Sequence, residues 1–98
     1  MTKVGTAIRE VRRLKNIPQK DLAIKADISQ TQLSLIESNK SNGSMKTIET
    51  LCRVLDTPIA VIMWMALSVD DVQDTKKAHF EVAKPIIDKL LIDLITNE

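Results

Sequence analysis

QKDLAIKADISQTQLSLIES, residues 19–38, decides the fold. Apolar or small side chains fall at Leu22, Ala23, Ala26, Ile28, Leu33 and Ile36. These share one inner face if residues near 19–26 and 30–38 are two helices joined by a tight turn. Ala23 lies where such helices cross most closely, and a larger side chain there would wedge them apart. Asp27 stands in the turn, where the backbone must pass through a left-handed residue; glycine is the usual occupant, and Asp accepts that geometry better than most. Ser29 to Gln32 then reads S-x-x-Q, a capping box that satisfies free amides at the start of the second helix. A small residue, a turn residue and a cap at these offsets separate the pattern from an ordinary helical hairpin.

This is the spacing of a helix-turn-helix, whose second helix can enter a DNA groove. At about 100° per residue, Leu33 and Ile36 point inward with Gln32 and Glu37 at the flanks, while Gln30, Thr31, Ser34, Leu35 and Ser38 share the outer side. Base contacts are therefore expected from Gln30, Thr31, Ser34 and Leu35, with Gln30 able to offer a paired donor and acceptor to adenine. Leu35 has two readings, contact with a thymine methyl or a casually exposed leucine. Phosphate contacts are expected from Gln19 at the start of the first of these helices, from Lys20, Arg13 and Ser38, and from Lys40 and Lys46 around the following loop. Any single lysine is as easily a solvated surface charge, and it is the clustering that points to DNA.

From Gly5 to about Ile59 the chain resembles the phage repressor and Cro-type (XRE-like) helix-turn-helix regulators. The matching residues are Gly5, Ile8, Arg9 and Arg12; Gln19, Leu22 and Ala23; Ser29, Ile36 and Glu37; and Ser44, Leu51 and Leu55. The resemblance implies an all-α bundle of about five helices that binds double-stranded DNA and regulates transcription, most often as a repressor. It also implies a structural ion pair between Arg12 and Glu37, the alternative being two unconnected surface charges. Three positions depart from the family pattern. Pro18 replaces a hydroxyl cap, though Pro suits a helix start. Asp27 and Asn39 replace glycines, and both residue types accept left-handed geometry.

Composition agrees with this class. The chain has 98 residues, 44% of them apolar, with two glycines, three prolines and only Trp64 and Phe80 as aromatics, which favours helices around a modest core. Residues 1–57 hold ten Lys or Arg against six Asp or Glu, while 58–98 hold four against seven. The basic half carries the motif, as phosphate contacts there would require, although solvated charge gives the same imbalance. Cys52 is alone, reads as core filler and permits no intrachain disulfide, in keeping with a reducing cytoplasm. The N-terminus lacks the apolar run of a signal peptide, and Pro58 to Leu67 is too short to span a bilayer. His79 is the single histidine and has no companion ligand; Asp70 and Asp71 lack the alternating oxygens of a calcium loop. No metal, cofactor or enzymatic role is expected.

Helices are expected near 5–15, 19–26, 30–38, 45–55 and 59–67, giving a DNA-binding segment over 1–67 and a C-terminal helical arm over 68–98, interrupted or bent at Pro85. Ile59, Val61, Ile62, Met63, Trp64 and Met65 surround the fifth helix, so it must be covered on more than one side. In the arm Ile86, Ile87, Leu90, Leu91, Leu94 and Ile95 span about half the helix circumference. Either the arm folds onto its own domain, or Trp64, Ile87, Leu90 and Leu94 form a homodimer interface suited to two DNA half-sites. A second functional reading, an antitoxin-like module, would have the arm mask a protein partner.

Overall fold

The computed structural model describes residues 3–96. It contains α1 (Val4–Leu14), α2 (Gln19–Lys25), α3 (Gln30–Glu37), α4 (Met45–Val54) and α5 (Ile59–Ala66), then two short 3₁₀ turns, Val69–Asp71 and Asp74–Lys76, and a long α6 (Lys77–Thr96). No strand occurs among the described residues, so the all-α class holds. The outermost residues of the two expected segments, 1, 2, 97 and 98, lie outside the described part.

Side chains set where these helices begin. The Ser29 hydroxyl accepts from the Gln32 amide at 3.0 Å, and the Ser44 hydroxyl does the same for Thr47. Pro18 and Pro58 precede α2 and α5 with φ near −60° and extended ψ, a geometry their rings pre-set. The first four helices end alike. Asn16, Asp27, Asn39 and Asp56 follow the last turns with φ of 58°, 58°, 61° and 50°. Each donates back to one carbonyl, and the residue after it donates to the carbonyl before that one; after α2, Asp27 reaches Ile24 at 3.1 Å and Ile28 reaches Ala23 at 3.0 Å. This is a Schellman closure, built four times without glycine.

The core consists of Ala7, Ile8 and Val11 from α1, Leu22 and Ala23 from α2 with Ala26 beyond it, Leu33 and Ile36 from α3, Ile48, Leu51 and Cys52 from α4, Leu55, and Ile62 and Ala66 from α5. Burial holds the Cys52 thiol above its ordinary pKa, with a smaller push from Glu49. Where α1 crosses α3 the backbones touch: a Cβ on Gly5 would collide with the Ile36 carbonyl oxygen. Only glycine lets the first helix seat against the third.

Of the two outcomes expected at Pro85, interruption does not occur in α6. The helix runs through that residue unbroken. Pro85 and Glu81 both lie on exposed positions, so the Glu81 carbonyl that loses its amide partner can turn to water, which lowers the usual penalty. The helix lies along its own bundle. The Trp64 indole N–H donates to Asp88 at 2.8 Å, Phe80 packs tilted on the indole at 5.9 Å between ring centroids, and the Lys84 ammonium, paired with Asp88, stands 5.4 Å from the ring centre. Ile95 reaches the core near the far end. α5 is thus covered by α1 on one side and α6 on another.

Candidate nucleic-acid interface

The eight residues of α3 and its C-cap Ser38 divide cleanly. Leu33, Ile36 and Glu37 are buried. Gln30, Thr31, Ser34, Leu35 and Ser38 are exposed together on the other side, Leu35 with 41% of its surface open. Gln32, placed at a flank by angle, is also exposed.

Behind this face runs a chain of polar contacts. The Arg12 guanidinium forks onto Glu37, Nε to Oε2 at 2.7 Å and a terminal nitrogen to Oε1 at 2.9 Å, and its other terminal nitrogen donates to the Ile17 carbonyl at 3.0 Å. Arg12 is 8% and Glu37 2% exposed, so the pair sits in low dielectric, where a carboxylate needs a charged, bidentate partner. Glu37 Oε1 also accepts from the Gln19 amide at 3.1 Å, and Gln19 in turn accepts from the Gln30 amide at 3.3 Å. Four residues from α1, α2 and α3 are linked, from the buried guanidinium to the first exposed residue of α3. No buried side-chain polar atom among the described residues lacks a partner.

Two shallow concavities flank α3 and share Gln19 and Ser34. One, about 300 Å³, is lined by Gln19, Gln30, Thr31, Ser34 and Leu35. The other, about 240 Å³, lies between α1 and α3 and is lined by Arg9, Arg12, Arg13, Gln19, Ser34, Glu37 and Ser38. The structure therefore brings together Gln19, Gln30, Thr31, Ser34, Leu35, Ser38 and Arg13. It adds Arg9, which the sequence reading matched to the family but gave no role. Arg9 and Arg13 are one helical turn apart on α1, a signal that was available. Lys20, Lys40 and Lys46 are exposed but line neither concavity. The Ser38 hydroxyl donates to the Leu35 carbonyl at 3.2 Å, which leaves its oxygen as an acceptor. After α3, Asn39 donates to the Thr6 hydroxyl at 2.7 Å and ties the following loop to α1.

The residues grouped as an interface between subunits are separated. Trp64 is engaged by its own chain's Phe80, Lys84 and Asp88, whereas Ile87, Leu90 and Leu94 are exposed. His79 is exposed, and no cluster of metal-ligating side chains occurs among the described residues. Among the described residues no helix is long and apolar enough to cross a membrane.

Residues 8–62 match the family model described as Helix-turn-helix, more than half of the chain. The protein belongs to that family. This helix-turn-helix protein is also similar to a crystallised mutant of the restriction-modification controller protein C.Esp1396I, with 32% sequence identity and a TM-score of 0.61 over 66% of this chain and 84% of that one. No curated protein matches the chain. Both likenesses identify a DNA-binding transcriptional regulator of the repressor and Cro type, and neither favours the antitoxin-like reading. α6 lies wholly outside the span of the family model.

Proposed function

We propose that the protein is a cytoplasmic, sequence-specific regulator that seats α3 in the major groove of an operator and acts as a repressor by excluding polymerase. The observation that carries this reading is the Arg12–Glu37–Gln19–Gln30 chain, because it aims the half-buried Gln19 amide and the exposed Gln30 amide before any DNA arrives. Gln30 gives one N–H to Gln19, and its second N–H and its carbonyl oxygen are the pair that adenine N7 and N6 require. Thr31, Ser34 and Leu35 follow along the same face. Arg9, Arg13, Gln19 and Ser38, which line one concavity, would meet strand phosphates, with Lys20 at the start of α2 and Lys40 and Lys46 beyond the end of α3 as further contacts. Two copies would occupy half-sites about 34 Å apart, so a homodimer is part of the proposal. It rests on the two-fold logic of such operators and on apolar surface left open along α6.

Sites selected from a random duplex pool provide the probe, and binding is followed by fluorescence anisotropy at several salt concentrations. Gln30→Ala should relax preference at one base position, at a cost of about 1–3 kcal/mol there. Lys40→Ala should weaken all duplexes alike and reduce the salt slope by about one. A wild-type protein that selects no sequence, and binds no better at low salt than an inert protein of equal charge, refutes the reading.

A further inference from the structure

α6 carries two faces. One holds Phe80, Lys84, Asp88 and Ile95 against its own bundle. On the other, Val82, Ile86 and Leu90 are 68%, 60% and 63% exposed, and His79 and Asp93 are exposed beside them. At 100° per residue these five fall within about 40° of Ile86, in one narrow stripe some 20 Å long. Their spacing is the same read from either end: His79 and Asp93 lie seven residues either side of Ile86, and Val82 and Leu90 four residues either side. Such a stripe is complementary to itself only when run antiparallel. Ile86 then meets Ile86 of the second copy, Val82 meets Leu90, and at each end a histidine meets an aspartate.

We propose that α6 is the homodimer interface, paired antiparallel with α6 of a second copy about a two-fold axis through Ile86. The inference rests on the dimeric reading given above and specifies its surface. Trp64 takes no part, being held inside its own chain. The apolar centre supplies non-directional attraction, and the His79–Asp93 contacts at both ends fix direction and register, since a parallel pairing would set histidine against histidine and aspartate against aspartate. Leu94 and Ile87 flank the stripe as its rim. The family model's span contains none of these residues, so the device belongs to the part of the chain that lies beyond the shared bundle.

Cysteine cross-linking tests the register in the full chain, because the native Cys52 is buried. Ile86→Cys should form a disulfide-linked dimer under mild oxidation, as two Cβ atoms across the axis come within reach. Val82→Cys and Leu90→Cys should each stay unlinked, whereas the double variant should link. In sedimentation, His79→Glu should raise the dimer dissociation constant about tenfold, and His79→Glu with Asp93→Lys should restore it. Linking by Val82→Cys alone, or a wild-type dimer that Ile86→Cys fails to link and Ile86→Asp fails to split, overturns the antiparallel pairing while leaving dimeric operator binding intact. A wild type that is monomeric both free and on a selected operator overturns the pairing and the dimeric reading together.

Discussion

Removing Glu37 should cost more stability than any other single polar change in the bundle. Glu37→Ala leaves Arg12 with one of its three hydrogen bonds, that to the Ile17 carbonyl, and strips the counter-charge from a guanidinium whose side chain is 10% exposed. Breaking a buried pair from one side costs about 3–5 kcal/mol. The small opening at Arg12 admits some solvent, so the lower end applies, about 3 kcal/mol. For a domain of this size that lowers the melting temperature by roughly 12–24 °C. Thermal unfolding followed by circular dichroism gives the value. Arg12→Met combined with Glu37→Leu removes both charges and keeps the volume, and should recover most of the loss. Glu37→Ala should also weaken operator binding at a temperature where it is fully folded, because Gln19 loses the acceptor that aims it. Wild-type melting in both Arg12→Met and Glu37→Ala would refute the argument.

Further outcomes follow from particular contacts. Gly5→Ala should destabilise by roughly 1–3 kcal/mol, read by urea titration, because its methyl meets the Ile36 carbonyl and α1 must shift. Asp56→Gly should stabilise by about 0.5 kcal/mol, since glycine relieves the left-handed backbone at φ 50° but gains freedom when unfolded; DNA binding should not change, because the proposed interface includes no residue near it. Cys52 should resist maleimide at neutral pH and react on unfolding. Its folded pKa is raised by burial, so the stability it lends is fully present below the unfolded thiol's pKa and is lost as pH rises through the folded one; a Cys52→Ala variant should lack that alkaline loss.

The helix-turn-helix was legible because its determinants are local. Ser29 caps within three residues, Asp27 turns within one, and the inward positions of α3 follow from helical period alone. Every expected limit of the first five helices falls within one residue of the structure. Asn16 and Asp56 close α1 and α4 as Asp27 and Asn39 close α2 and α3, yet they were not read, although each is an Asn or Asp just past the last apolar turn. That α6 is not interrupted at Pro85 was not legible for another reason. Whether a proline breaks a helix depends on where the freed carbonyl points, and that is decided by which side of α6 faces water. The Trp64–Asp88 bond joins residues 24 apart, and no pattern in the sequence announces it. Apolar periodicity alone spread the arm's hydrophobic residues over half its surface, and the structure sorts them into a face toward the bundle and a face away.

Gln19 occupies a place with a consequence for how such a regulator can diverge. Its amide is held by the buried Glu37 carboxylate and itself holds Gln30, so a change there alters packing and aim in one step. Thr31, Ser34 and Leu35 carry no such obligation toward the interior. If α3 reads an operator as proposed, new preferences would be most accessible through those three positions, with the residues behind them acting as a fixed mount on which different letters can be set.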